Sequence, residues 1–221
     1  LKKYGLWAKK KFGQNFLVDR GVLEKIVAAA ELSENDLVFE IGPGPGVLTQ
    51  ELLPKARKVI AVEIDRDILP ALRDSTHFFR DKLEIRNEHI LNVEVPHEPY
   101  KVVANIPYHL TSPILRKFLV ETEFRPKSLT LLVQKEVAEK VCDARKKSIL
   151  SLFVEIFGEA KIIDIVPASS FFPPPKVNSA ILHIVVADMP KTSADPKSFF
   201  AACKIAFSQK RKKLKNTIPQ N

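Results

Sequence analysis

The chain has 221 residues, 45% hydrophobic and 28% charged, an ordinary globular make-up that excludes disorder along its whole length. A chain of this length exposes about 10,000 Å² when folded against about 36,000 Å² when open, enough burial for one full domain with a small appendage and too little for two large domains. Lys and Arg outnumber Asp and Glu by 35 to 26, a net charge of +9; no apolar run approaches the ~18 residues of a membrane span, and Cys142 and Cys203 lie too far apart for a disulfide framework or a zinc spacing, which fits a reducing compartment.

From residue 37 onward, short apolar runs alternate with helical stretches. A helix over 21–30 precedes the first run. Strands are predicted at 37–41, 58–64, 83–86, 101–104 and 129–133, with helices at 47–53, 67–73, 113–120 and 135–145. Continuous apolar strands alternating with helices predict a parallel sheet covered on both faces. After Ser148 the rhythm changes: runs at 161–166 and 179–186 are joined by a Pro-rich loop with no helix between them, so the pair is antiparallel. Residues 188–196 read as a linker, and 199–205 and 209–215 as helices of an appendage with Phe199, Phe200, Ile205 and Phe207 as its core. The basic excess is uneven. Lys2, Lys3, Lys9, Lys10 and Lys11 crowd the start, and Lys204, Lys210, Arg211, Lys212, Lys213 and Lys215 crowd the end, which reads as a phosphate-binding footprint.

Glu40-Ile41-Gly42-Pro43-Gly44-Pro45-Gly46 stands directly after the first strand and before a helix. Its glycines allow a tight turn and close backbone approach to a ligand. The spacing is neither that of a dinucleotide turn nor that of a phosphate loop. Glu63 closes the second strand, where an acid can accept from both ribose hydroxyls. The pair points to an adenosine ligand without a pyrophosphate; S-adenosylmethionine meets that description and NAD meets it poorly.

Asn105-Ile106-Pro107-Tyr108 follows the fourth strand, at the same edge of the sheet. The exocyclic amine of adenine is a weak nucleophile because its lone pair is delocalised into the ring. An amide oxygen from Asn105 and a carbonyl of Ile106 or Pro107 can accept its two N–H groups, which aims the lone pair at a methyl donor. Pro107 stiffens the turn, and Tyr108 can stack on the base.

With these segments in view the chain resembles the ribosomal RNA adenine dimethyltransferases that modify two adjacent adenines near the 3′ end of small-subunit rRNA. The resemblance rests on Lys10-Lys11-Phe12-Gly13-Gln14-Asn15-Phe16-Leu17, on 39–49, on Val62-Glu63-Ile64-Asp65, on Ala104-Asn105-Ile106-Pro107-Tyr108, on Val133-Gln134-Lys135-Glu136-Val137-Ala138, on 171–180 and on 206–216. It implies a Rossmann-like methyltransferase fold with a seven-stranded, mostly parallel sheet over 1–187 and a small helical domain over 188–221. It further implies donor contacts from Asn15, Leu17, Gly42, Gly44, Glu63, Ile64, Glu88 and Asn105. The target adenine is expected between Tyr108 and Phe171, beside Asn105 and Pro107, with no metal. RNA contacts are expected from Lys9, Lys10, Lys11, Lys210, Arg211, Lys212 and Lys213. The implied cosubstrate is S-adenosylmethionine, which leaves as S-adenosylhomocysteine, and the implied partner is small-subunit rRNA in an assembling ribosomal subunit, met by a cytoplasmic monomer that needs no membrane.

Four places depart from the usual pattern of that family. Asn87-Glu88-His89-Ile90 replaces Gly-Asp-Ala-Leu, Lys147-Ser148 replaces Tyr-Gly, Asn15 replaces His and Asn178 replaces Asp. The last two also occur in enzymes that methylate large-subunit rRNA and confer macrolide resistance. That activity is one alternative, and a ribosome-assembly factor with little catalysis is another. Leu1 in place of Met reads as a trimmed start, and the appendage reads as shorter than in most family members.

Overall fold

The apolar runs assemble into one sheet. The computed structural model describes residues 5, 7–143, 145, 147–193 and 195–207, with the side chains of residues 196, 197, 204 and 206 excepted. In chain order its elements are β1 (Phe16–Leu17), α1 (Arg20–Ala29), β2 (Leu37–Ile41), α2 (Val47–Leu52), β3 (Lys58–Val62), α3 (Leu69–Ser75), β4 (Leu83–Arg86), β5 (Tyr100–Asn105) and α4 (Thr111–Arg116). They continue with β6 (Ser128–Gln134), α5 (Lys135–Cys142), α6 (Ile149–Phe157), β7 (Gly158–Val166), β8 (Phe171–Phe172), β9 (Ser179–Val186) and α7 (Pro196–Phe207). Seven strands form the main sheet in the order β4-β3-β2-β5-β6-β9-β7. The pairs β4-β3, β3-β2, β2-β5 and β5-β6 are parallel. β9 runs antiparallel to both β6 and β7, so it alone is reversed.

Alternation along each strand divides the core in two. Leu37, Phe39 and Ile41 join Val102, Ala104, Leu129 and Leu131 under α4, α5 and α6. Val38, Val59, Val103 and Leu132 face the other way, onto residues of α1 and α2 such as Ile26, Val27, Leu48 and Leu52. This is the period-two consequence of burying both faces of a sheet. At the centre of the first half, Phe39 meets Tyr100 and Phe118 edge-on, with ring centroids 6.0 and 5.8 Å apart. Tyr100 keeps its hydroxyl satisfied by donating to the Phe124 carbonyl at 2.9 Å.

Three findings differ from the sequence reading. α6 fills a stretch that carries no predicted element; Ser148 caps it and exchanges hydrogen bonds with Ser151. A second, two-stranded sheet pairs β1 with β8 and ties the N-terminal arm to the Pro-rich loop. α7 leans on the main core: Phe200 stacks on Phe153 of α6 with centroids 4.9 Å apart, Arg116 lies over its ring, and Phe199 packs nearby. Ile205 and Phe207, expected in an appendage core, are 43% and 37% exposed. The helix expected at 209–215 lies outside the described residues.

Phe118 is fully buried between the Phe39 and Tyr100 rings. Phe118→Ala removes the packing that joins the helical turn after α4 (Lys117–Glu121) to the sheet and lowers stability by about 3–5 kcal/mol, measured as a fall in the urea midpoint with unchanged slope.

Candidate active site

The winding of the sheet decides where a ligand can sit. From β2 the chain moves outward through β3 to β4, then returns to the other side of β2 and continues through β5 to β6. The connections after β2 and β5 therefore diverge, and a crevice opens at the carboxyl ends of these two strands. The glycine turn follows β2 and the Asn105 loop follows β5, so the fold brings the two motifs together.

The crevice holds about 1010 Å³ of free space, part of it open to solvent. It is lined by the arm (Gln14, Asn15, Phe16, Leu17), the glycine turn (Gly42, Gly44), the end of β3 (Glu63, Ile64), Glu88 and His89, and the segment Asn105 to Tyr108. Every residue that the sequence reading assigned to the donor lies on this lining, as do Pro107 and Tyr108. Gly42, Gly44 and Gly46 all have positive φ, at 66°, 57° and 90°. A side chain at Gly44 would meet the Phe16 ring at 3.2 Å, and one at Gly46 would meet the Ser75 hydroxyl at 2.4 Å; the turn can be this tight only without side chains.

Glu63 is 5% exposed. One of its oxygens accepts from the Gly44 amide at 3.0 Å and the other from the Asp65 amide at 2.8 Å. Burial raises its pKa, and these two amides offset part of the rise. The acid is thus locked to the glycine turn at the wall of the crevice. Ile64 is 44% exposed beside it, and Asn87 donates to the Glu63 carbonyl at 2.7 Å. The His89 ring accepts from the Leu91 amide through Nδ1 at 3.2 Å, which keeps it folded against its own loop.

Asn105, at the end of β5, is held by the arm. Its Nδ2 donates to the Asn15 carbonyl at 3.1 Å. A carbonyl can only accept, so this contact fixes which end of the amide faces the arm and leaves Oδ1 on the other side. The Pro107 carbonyl accepts from the Leu110 amide at 2.9 Å and keeps one lone pair. Tyr108 shares a 2.7 Å hydrogen bond with the Ser179 hydroxyl, which holds its ring from β9. Burial raises the phenol pKa, so it stays protonated at neutral pH.

Two expectations need correction. Phe171 does not line the crevice; it is 3% exposed and packs in the core with Leu17, Val22 and Leu23. The cause is strand register: Leu17 pairs with Phe171 and Phe16 with Phe172, and paired residues share a face. Phe171 therefore shares the buried face with Leu17, while Phe172 shares the face of Phe16 and is 56% exposed. Lys9 is not a free cation: its ammonium lies 2.6 Å from both Asp65 and Asp67. Lys10 and Lys11 are exposed on a short turn of 3-10 helix, and Lys210, Arg211, Lys212 and Lys213 lie outside the described residues. Asp65, Gln14 and Ser179 support the site without having been singled out by the sequence reading.

Comparison with known proteins settles the lineage. The family model described as ribosomal RNA adenine dimethylase matches residues 5–221. The chain belongs to that family. A ribosomal RNA small subunit methyltransferase A of Dehalococcoides mccartyi is 41% identical, aligned over 98% of this chain and 76% of its own length. The protein of the same name from Bacillus pumilus is 37% identical over 100% of this chain and 80% of its own. Among solved structures, a dimethyladenosine transferase from Plasmodium falciparum superposes with a TM-score of 0.81 at 32% identity, covering 91% of this chain and 74% of that one. The 23S rRNA methyltransferase ErmE superposes at 0.79 with 30% identity, over 92% and 83%. The fold is the Rossmann-like methyltransferase fold, and residues that depart from the family pattern have structural work here. Ser148 caps α6, Lys147 pairs with Glu155 at 2.6 Å, and the Asn178 side chain accepts from the Ala168 amide at 3.2 Å.

Beneath the glycine turn, Glu40 is 1% exposed, and neither carboxyl oxygen has a hydrogen bond. Burial drives its pKa from 4.5 up to about 8, against a lowering effect of the Thr49 hydroxyl beside it. The folded state thus holds a proton that the unfolded chain releases near 4.5. The stability this gives is complete below that pH and is lost as pH rises towards about 8. Glu40→Gln keeps the shape and removes the titration, so thermal melts between pH 5 and 9 show a smaller alkaline loss in this variant than in the parent.

Proposed function

We infer that this chain uses S-adenosylmethionine to dimethylate the N6 amines of two adjacent adenosines near the 3′ end of small-subunit rRNA. The observation that carries the reading is the placement of Asn105: its amide is turned by the arm so that Oδ1, an acceptor, stands free at the crevice where the glycine turn and Glu63 converge.

The crevice fits the cosubstrate. Its lining carries two carboxylates, Glu63 and Glu88, and no lysine or arginine, which favours a cationic adenosyl ligand and offers no countercharge to a pyrophosphate. In this reading Glu63 takes the ribose hydroxyls, Ile64 packs on the donor's adenine and Glu88 accepts from its amino group. Gly42 and Gly44 border the methionine part, and Asn15 and Leu17 close the arm side. S-adenosylmethionine, when bound, supplies an electrophilic methyl group on a sulfonium.

The chain's own residues then do the rest. A target adenine, taken out of its stack, lies on the Tyr108 ring. Asn105 Oδ1 accepts one N6–H, and the open lone pair of the Pro107 carbonyl accepts the other. Both bonds strengthen as positive charge develops on nitrogen, and so favour the transition state over the ground state. The alkylated amine is acidic enough to release its proton to water. Phe171 contributes from beneath, by holding β1 against β8. Lys10 and Lys11 contact RNA phosphates, and so do Lys210, Arg211, Lys212 and Lys213. The main domain over 1–187 carries the chemistry and the segment 188–221 adds basic surface. The substrate is rRNA in an assembling small subunit, met by a cytoplasmic monomer.

Asn105→Ala lowers single-turnover methyl transfer by ~10²-fold or more, the scale of losing a transition-state acceptor, while calorimetric donor binding stays within a few-fold. Turnover near the parent level removes the assignment. Mapping dimethyladenosine after incubation with assembled small subunits locates the target, and modification of large-subunit rRNA instead reassigns it. Affinity for the RNA falls steeply between about 50 and 200 mM salt; a flat response in filter binding removes the phosphate role of the basic residues.

A further inference from the structure

The N-terminal arm crosses the crevice and is tied down on both sides of Asn15. Towards the C-terminus, β1 pairs with β8, the Val18 amide donates to the Ser170 carbonyl at 2.9 Å and the Ser170 hydroxyl donates to Asp19 at 2.8 Å. Towards the N-terminus the tie is a small polar cluster. Asp65, 4% exposed, accepts from the Lys9 ammonium at 2.6 Å through Oδ1 and from the Gln14 amide at 2.9 Å through Oδ2. The Gln14 side chain in turn accepts from the Lys9 backbone amide at 2.8 Å, closing a ring of contacts around the turn. Asp67 gives the same ammonium a second carboxylate at 2.6 Å. Asn15 follows Gln14 directly, and its carbonyl is the group that holds the Asn105 amide.

Each link constrains the next. A single-bonded amide such as Asn105 can rotate about its terminal torsion, which has a broad, two-fold profile. Only the partner at Nδ2 selects the orientation that presents Oδ1 to an amine. That partner is a backbone carbonyl in a segment with little regular structure of its own, so its position depends on the ties at its ends. The tie through Asp65 also reaches the donor side, because the Asp65 amide donates to Glu63 at 2.8 Å. One residue at the end of β3 thus joins the acid of the donor site to the arm that orients the acceptor of the target site.

We propose that Asp65, acting through Lys9 and Gln14, is a positioning residue for methyl transfer: it fixes the arm so that the Asn15 carbonyl sets the Asn105 amide in its productive orientation. This rests on the reading of Asn105 as the acceptor for the target amine. It gives Lys9 a role in the geometry of the reaction in place of an RNA contact.

The test uses the full chain with assembled small subunits, in single turnover with donor and RNA both saturating. Lys9→Met and Gln14→Leu replace half-buried side chains and leave Asn15, Leu17 and Asp65 intact. Each lowers the transfer rate by about 10-fold or more, on the scale expected for slight misplacement of a reacting group, and further donor does not restore it. Lys9→Arg recovers most of the rate lost in Lys9→Met. Asp65→Asn combined with Lys9→Met costs less than the product of the two single losses, as contacts in one network do. Normal rates in Lys9→Met and Gln14→Leu overturn the proposal, and so does a loss that higher donor concentration fully recovers, because the arm would then act only on donor affinity. Asn105→Ala is assayed alongside. If it is slow while the arm variants are normal, only the positioning role falls; if it turns over normally, the Asn105 reading falls and the positioning role with it. Should Asp65→Asn fail to fold, the Lys9 and Gln14 variants decide the matter alone.

Discussion

The reversal of winding between β2 and β5 is the constraint on which the rest depends. Two parallel strands whose connections leave in opposite directions cannot have their carboxyl ends covered by the same helix. The two carboxyl ends frame a ready-made crevice. Each motif with chemistry in this chain sits on the rim: the glycine turn after β2, Glu63 after β3, Glu88 after β4 and Asn105 after β5. The helices and the double-sided core serve to keep these four strand ends in register. The parallel pairing of Ile41 with both Val62 and Ala104 places the glycine turn, Glu63 and Asn105 on one level.

The electrostatics of the crevice follow from the same placement. Glu40 and Glu63 lie near the ends of adjacent strands, both buried; burial raises the cost of charging each, and Glu63 adds to that cost at Glu40 as Asp65 does at Glu63. The two acids are treated differently by the fold. Glu63 receives two backbone amides, whereas Glu40 receives none. The first therefore has oxygens oriented for a ligand, and the second stays protonated at neutral pH as a polar filler under the turn. Asp65, one turn further out, is held below the usual carboxylate range: burial opposes this, and the hydrogen bonds from Lys9 and Gln14 outweigh it. The charge on the rim is thus distributed by depth, neutral at the bottom and ionised where it meets the arm.

Much of this was legible in the sequence because the signals were local. All seven main-sheet strands show as apolar runs, and the turn residues Gly42, Gly44 and Gly46 announce a positive-φ path. The elements that escaped are those whose cause lies elsewhere in the chain. α6 is short and apolar apart from Ser151 and Glu155, a run that composition alone does not separate from a buried strand, and its clearest mark is the Ser148 and Ser151 cap. β1 and β8 are two residues long and exist only because each finds the other across 155 positions, Leu17 against Phe171 and Phe16 against Phe172. That pairing also decides which of two neighbouring phenylalanines is buried, something no local pattern contains. The error at Lys9 has the same origin: a lysine in a basic run reads as solvated until Asp65 and Asp67 are placed beside it.

The non-local contacts are also those that turn a binding fold into a catalytic one. The glycine turn and the strand-end acid are joined through the Gly44 amide, and both arise within one βαβ unit. The Asn105 amide takes its rotation from outside its own loop. The rotation comes from Asn15, 90 residues earlier, and Tyr108 is steadied by Ser179, 71 residues later. Each partner lies outside the loop, Asn15 in the arm and Ser179 at the start of β9, an interior strand of the sheet. The Asn105 and Tyr108 side chains are therefore fixed only when the arm and β9 are both in place beside the central strands, so the rim after β5 depends on the folding of the whole domain, whereas the Gly44 amide and the Glu63 carboxylate meet within one βαβ unit.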